Sequence, residues 1–416
     1  MTLAQDIKQP VRRTEARKHD QKDNTLLPSG LVGSVTVRSG AWVDLKQAIA
    51  RDERRNMTTA AASMSGVAVA LWGALIVASL AGEGDPALSA QQLRELAGAD
   101  HWAVYPNNPV LRPGAQGEWD AGALGSMTVL KVGELFHMYY EAWGVRGHDW
   151  TDYYTLQIGH ATSRDGVHWT KDPANPVLPK GAGNAWDRDG TWDPFVLYED
   201  GVFKMWYGGG MDKHCDWGYA VSTDGVHFVK KGQLSHLGNV EDDHVVHDKA
   251  SGRYFMYYWD RKHEPMGLFR AQSPNETGFD FEHAEPILIQ GLKYPAMYKF
   301  THVFQEGGRW YMFFGEFVRP GCKGCWSGYA TSSDGLRWKA QNLRLLMGQD
   351  AEILKVAKDL RFMYYGPDGY FDQKDCNIRL AVYKGRLSAL AGSLSVPSSK
   401  GSRKDSVPLE APNPHE

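Results

Sequence analysis

The sequence predicts an all-β fold: a five-bladed β-propeller of four-stranded blades, forming a single domain after an N-terminal apolar segment. Three observations carry this. A methionine set among aromatics recurs five times, as "FHMYY" (Met138), "FKMWY" (Met205), "YFMYY" (Met256), "WYMFF" (Met312) and "RFMYY" (Met363). These methionines are spaced 67, 51, 56 and 51 residues apart, the length of one propeller blade. The chain is rich in Trp (15), Tyr (19) and Gly (45), which suits short strands and tight turns better than a helical bundle.

Residues 1–56 are polar and lack apolar periodicity, and read as a disordered extension. Residues 57–84 hold an uncharged apolar run, Gly66 to Ala81, behind Arg51, Arg54 and Arg55. With Ser79 and Ala81 placed as a signal peptidase requires, this is the pattern of a signal peptide. At 16 residues it also approaches the span of a signal anchor. Either reading places the propeller outside the cytoplasm, and a membrane is touched only through an uncleaved anchor.

The propeller occupies residues 100–392, with blades at about 102–172, 173–232, 233–285, 286–341 and 342–392, followed by a disordered polar tail, 393–416. Each methionine motif follows an apolar run and a turn, from "TVLKVGE" in the first blade to "ILKVAKD" in the fifth. Downstream, "GHATSRDGVHW", "GYAVSTDGVHF" and "GYATSSDGLRW" each read as strand, Asp-Gly turn and strand, because Gly tolerates the positive φ of such turns. The third blade has a degenerate version and the fifth keeps only its first half, "RLAVYKGRL". The stretches "NPVLRPGAQGEWDAGALGSM" and "NPVLPKGAGNAWDRDGTWDP" align without a gap at an offset of 67. The methionine stripes and Asp-Gly turns are therefore architecture.

Net charge is −3, which implies no polyanion-binding surface, so nucleic acid is not an expected partner. In a propeller, the loop leading into each inner strand and the loop between the second and third strands open on one face. There the inner strands converge on a funnel. That face receives the candidate catalytic acids Asp193, Asp243, Glu241, Asp120 and Glu316. It also receives the candidate substrate-binding groups Trp143, Trp192, Asp187, Arg261, His263, His302 and Glu352. Carboxylates interleaved with flat aromatic faces suit a sugar. Two opposed carboxylates suffice for glycoside cleavage, one protonating the leaving oxygen and one serving as base or nucleophile.

The unit "WDPFVLYEDGVFKMWYGG" followed by "GYAVSTDGVHF" resembles the five-bladed propeller glycoside hydrolases of families 43 and 62, 32 and 68, with 117 and 130 as relatives. The resemblance spans all five blades and implies a glycosidase acting on an oligo- or polysaccharide. Family 43 implies an aspartate base from the first blade, a "DP" aspartate from the second that tunes pKa and orientation, and a glutamate acid from the third. Asp193 matches the second of these, and Glu241 or Asp243 the third. At the 67-residue offset the first blade has Ser126 where the second has Asp193. This departure admits family 117, with His302 as its histidine proton donor. It also admits a family 130 phosphorolytic enzyme, with Arg261, Lys262, His263 and Arg319 holding phosphate. A non-catalytic propeller that binds glycan or protein is the alternative from another class. No cofactor is required and no metal-ligand set is legible, though family analogy admits a structural ion on the propeller axis. Cys215, Cys325 and Cys376 occupy one position in different blades, which keeps them apart.

Overall fold

The computed structural model describes residues 90–97, 101–144, 156–210, 215–238, 240–260, 267–291, 298–317, 325–366 and 376–390. The segments 1–56, 57–84 and 393–416 lie outside the described residues. Among those described, no helix is long and apolar enough to cross a membrane.

A short helix α1 (Ala90–Leu96) and strand β1 (Ala103–Val104) precede five antiparallel sheets. The first blade comprises β2 (Ala123–Val132), β3 (Leu135–Trp143), β4 (Gln157–Ser163) and β5 (Thr170–Lys171). The second comprises β6 (Thr191–Glu199), β7 (Val202–Gly209), β8 (Asp216–Ser222) and β9 (Val229–Gln233). The third runs β10 (Val240–Asp248), β11 (Arg253–Asp260), β12 (Gly267–Ser273) and β13 (Glu285–Pro286). A parallel strand β14 (Leu288–Gln290) borders the fourth blade of β15 (Tyr298–Glu306), β16 (Arg309–Phe317), β17 (Cys325–Ser332) and β18 (Arg337–Met347). The fifth comprises β19 (Gln349–Ala357), β20 (Leu360–Gly366) and β21 (Arg379–Lys384).

The fifth blade's missing outer strand is supplied from the other end of the propeller. Ala103 and Val104 pair with Val382 and Ala381. Asn108 exchanges hydrogen bonds with the Leu380 backbone, 2.7 and 2.8 Å. In the same way Asn175, from the second "NPVL" copy, binds the His160 backbone of the first blade at 2.7 and 2.9 Å. Each "NPVL" segment therefore caps the preceding blade, which corrects the boundaries placed at 102 and 173. Ring closure by a strand from the opposite terminus leaves no open edge between first and last blades.

The five motif methionines are fully buried between blades. In four of the five blades the residue after the methionine ties its blade to the next by a hydrogen bond. Tyr139 Oη donates to the Gly225 carbonyl (2.8 Å), Tyr257 to that of Gly335 (3.1 Å), and Tyr364 to that of Gly166 (2.7 Å). Trp206 Nε1 does the same to Glu276 in the degenerate third-blade turn, at 2.8 Å. The fourth blade has Phe313 here, with no donor, and the fifth blade it faces has no Asp-Gly turn after its third strand, where the sequence reads "RLAVYKGRL". Trp102 packs edge-on against Phe313 instead, with centroids 6.3 Å apart. The Asp-Gly turns are internally satisfied. Asp165 Oδ1 accepts from the amides of Val167 (2.8 Å) and His168 (2.9 Å), and Asp224 and Asp334 repeat the pattern. Cys215 and Cys376 are not disulfide-bonded.

Candidate functional site

Every inner strand carries a β-bulge where it opens into the funnel. The register shifts between Leu124 and Met127, Trp192 and Phe195, Glu241 and His244, Lys299 and His302, and Gln349 and Glu352. Bulges re-aim side chains and cluster at functional sites. In two of them an aspartate takes the left-handed conformation, Asp193 at φ 43° and Asp350 at φ 52°. That conformation costs a non-glycine residue about 1–2 kcal/mol, so the surrounding contacts must hold it.

For Asp193 two of those contacts come from the first blade. Its N–H donates to Glu141 Oε2 at 2.9 Å, and Thr128 Oγ1 donates to the next carbonyl, that of Pro194, at 2.5 Å. Glu141 stands on β3, buried, and crosses the first inner strand where that strand has Gly125. A Cβ on Gly125 would lie 2.1 Å from Glu141 Oε1. The glycine therefore opens the path by which a first-blade carboxylate reaches the second-blade bulge.

Just below the bulges, five side chains occupy one register position, each opposite the residue that follows the motif methionine: Thr128, Phe195, His244, His302 and Glu352. They form a closed circuit around the axis. From Thr128 the circuit reaches the second blade at Pro194, and the Phe195 ring packs tilted against His244 with centroids 3.9 Å apart. The His244 and His302 rings lie with centroids 4.5 Å apart. His302 Nδ1 bonds Glu352 Oε2, and Glu352 Oε1 accepts from the Val129 amide at 3.3 Å, returning to the first blade. Burial, and then the neighbouring His302, hold His244 well below the usual imidazole pKa. His244, His302 and Glu352 bring one potential ligand atom each to within 4.8 Å of one another.

Several expectations are corrected. Asp120 is 1% exposed, paired with Lys171 Nζ on the outermost strand β5 (2.5 Å) and with Tyr140 Oη (3.3 Å). Asp187 repeats this with Lys230 on β9 (2.6 Å) and Tyr207 Oη (3.1 Å). Both fix loops across the blade and neither faces the funnel. Trp192 is a core residue: it is 7% exposed, donates to the Gly210 carbonyl at 3.2 Å and lies flat on Gly208. His302 and Glu352 do reach the axis, but as a buried pair (7% and 6% exposed) whose polar atoms bind each other, not as open sugar contacts. Trp143 is half-buried at the end of β3. Glu241 sits one residue before the third-blade bulge, and Asp242, not Asp243, takes the register position of Asp193. Glu316 pairs with Tyr298 at the end of the ladder between β15 and β16. Arg261 and His263 lie outside the described residues, as do Lys262 and Arg319. Thr128 and His244 were not among the expected site residues. Aligning the five inner strands by register, not by distance from the methionine, brings them out.

Fold and site together define a class: a five-bladed β-propeller with carboxylates at the mouth of an axial funnel. Solved structures with this fold include a glycosyl hydrolase from Bacteroides ovatus (TM-score 0.52, 17% identity, covering 69% of this chain and 94% of that one). A β-1,2-mannobiose phosphorylase from Listeria innocua shares it too (TM-score 0.53, 14% identity, 69% of this chain and 97% of that one). In sequence, the chain is 28% identical over 158 residues to a 1,2-β-oligomannan phosphorylase of Thermoanaerobacter sp. (strain X514), 36% of this chain and 51% of that protein. It is 28% identical over 163 residues to a sucrose-6-phosphate hydrolase of Zymomonas mobilis, 33% of this chain and 29% of that protein. The chain thus spans about half, or less, of the length of these curated relatives. No family model matches it.

Proposed function

We propose that the protein cleaves a glycosidic bond in an oligo- or polysaccharide, with Asp193 acting at the funnel mouth. The observation that carries this is the Asp193 bulge: a strained acid on the second inner strand, held by Glu141 and Thr128 of the first blade. Strain kept in place by neighbouring hydrogen bonds marks positions where geometry matters more than stability. Asp193 is the group that assists proton transfer at the glycosidic oxygen, with a third-blade acid, Glu241 or Asp243, as its partner. The likeness to proteins named as glycoside hydrolases and phosphorylases supports the substrate class.

Water or inorganic phosphate can take the glycosyl group. Hydrolysis is the primary reading. The phosphorolytic reading is kept because a sequence relative and a structural neighbour both bear phosphorylase names. The test incubates the full chain with a panel of oligosaccharides, β-1,2-linked mannosides included, with and without inorganic phosphate. Release of free reducing sugar without phosphate supports hydrolysis. A sugar 1-phosphate formed only when phosphate is added shows phosphorolysis. Glycan binding with no cleavage under either condition leaves a non-catalytic propeller and overturns the proposal.

The apolar run Gly66–Ala81 behind a basic stretch supports export of the propeller. Fusing residues 1–90 to a reporter active only outside the cytoplasm tests this, and an inactive fusion contradicts it.

A further inference from the structure

We propose that His244, His302 and Glu352 bind one divalent first-row transition ion, of the zinc type, on the propeller axis. The three groups stand at one register position on the inner strands of three successive blades, all buried, with ligand atoms within 4.8 Å of one another. Nothing in the chain's local sequence joins them; they are 58 and 50 residues apart. Only closure of the propeller brings them together.

Charge points to a cation. A carboxylate taken out of water needs a positive partner, because an unpaired buried charge is strongly unfavourable. Among the described residues no lysine or arginine pairs with Glu352, and its ion-pair partner is the imidazole of His302. Two other buried acids are each met by a lysine, Asp120 by Lys171 and Asp187 by Lys230, while Asp216 is met by neutral donors from Ser235, Gln233 and the Trp217 amide. Beside Glu352 stands His244, a second imidazole that pairs with no other carboxylate among the described residues. A divalent ion among the three would neutralise the carboxylate and use both rings.

The donor set selects the ion. Two imidazole nitrogens and one carboxylate oxygen suit borderline-soft ions such as zinc, whereas calcium and magnesium take oxygen ligands almost exclusively. Zinc ligands at about 2.0–2.1 Å in a tetrahedron stand roughly 3.4 Å apart, so binding draws the widest separation inward by small side-chain rotations. Three protein ligands leave the fourth position to water. By joining the third, fourth and fifth inner strands, the ion would brace the floor beneath the bulges. This inference does not depend on the proposed glycosidase activity.

The experiment uses the full chain, stripped with a chelator and titrated with zinc by calorimetry, with total metal counted by mass spectrometry. Expected is one ion per chain, and zinc-edge X-ray absorption showing imidazole nitrogen and oxygen but no sulfur. His244→Ala and Glu352→Gln should each weaken zinc binding at least a hundredfold. The fold of each variant is checked by circular dichroism, and the absorption spectrum of the unmodified protein decides alone if both unfold. No uptake, thiolate ligation, or unchanged affinity in a folded His244→Ala variant would overturn the proposal and leave a hydrogen-bonded axial pair.

Discussion

Asp120 in the first blade and Asp187 in the second make the same contacts, each with a tyrosine on the second strand and a lysine on the outermost one. The first blade also receives the "NPVL" asparagine Asn175 from the segment that follows it, as the fifth receives Asn108. At the funnel mouth they part. The first blade has Gly125 and Ser126 in its bulge with Glu141 facing it, where the second has Asp193 and Pro194, and Gly208, opposite Trp192, at the 67-residue equivalent of Glu141. What the two share holds the frame; what they do not share lies where a substrate would sit. The same holds around the axis, where one register position carries Thr, Phe, His, His and Glu in turn. An acid that recurs at a fixed offset is thus the weaker candidate for chemistry, and the acid without a counterpart is the stronger one.

The largest effect is assigned to Asp193. Replacement by Asn should lower kcat by roughly 10²–10⁴-fold, the contribution of a positioned acid or base, with the fold intact by circular dichroism. A smaller loss is expected from Glu141, which positions the bulge and does not touch the reacting bond. Glu141→Ala should lower kcat about tenfold, equivalent to about 1.4 kcal/mol, with little change in KM. Glu141→Gln, which keeps an acceptor for the Asp193 amide, should recover most of it. Gly125→Ala should behave like Glu141→Ala, since the added methyl displaces the same side chain.

The shared features should respond in the opposite sense. Asp120→Asn and Asp187→Asn each weaken a buried, charge-assisted contact and should cost roughly 1–3 kcal/mol in denaturant unfolding. Their kcat values should stay within about twofold of the unmodified protein, a difference of under ~0.5 kcal/mol.

A pH test sharpens the contrast on the far face, where the first blade has His137 and the second has Lys204 at the 67-residue offset. Burial, and then the neighbouring His160, lower the pKa of His137 from 6.5 to about 4. The unfolded chain therefore binds the extra proton first, so stability should fall as pH drops from about 6.5 towards 4. His137→Phe should flatten that slope. In the second blade, Lys249, Tyr254, His247 and Lys204 outweigh burial and lower Glu199 from 4.5 to about 2. Its contribution should persist above 4.5 and fade only below it, so Glu199→Gln should change the acid limb alone.

The propeller was legible because its methionine and Asp-Gly motifs repeat, and repetition is readable without coordinates. The two-residue strand β1 was not, since nothing in "AV" announces a fifth-blade edge. Asp193 could be singled out because the first blade lacks it. What holds Asp120 and Asp187 was hidden because their lysines lie 51 and 43 residues further along the chain. Trp192 carries the aromatic surface a sugar would use, and only the flat contact with Gly208 shows that the core takes it. The axial circuit was hidden by turn length: its members precede their methionines by 10, 10, 12, 10 and 11 residues, so no fixed spacing betrays them.

The most direct measurement compares turnover of one cleaved glycan by the unmodified, Asp193→Asn and Asp187→Asn proteins, with affinity for that glycan measured on all three. The account predicts that Asp193→Asn binds the glycan and fails to cleave it, while Asp187→Asn cleaves it at nearly the original rate. Equal loss in both variants, or full turnover by Asp193→Asn, would contradict it.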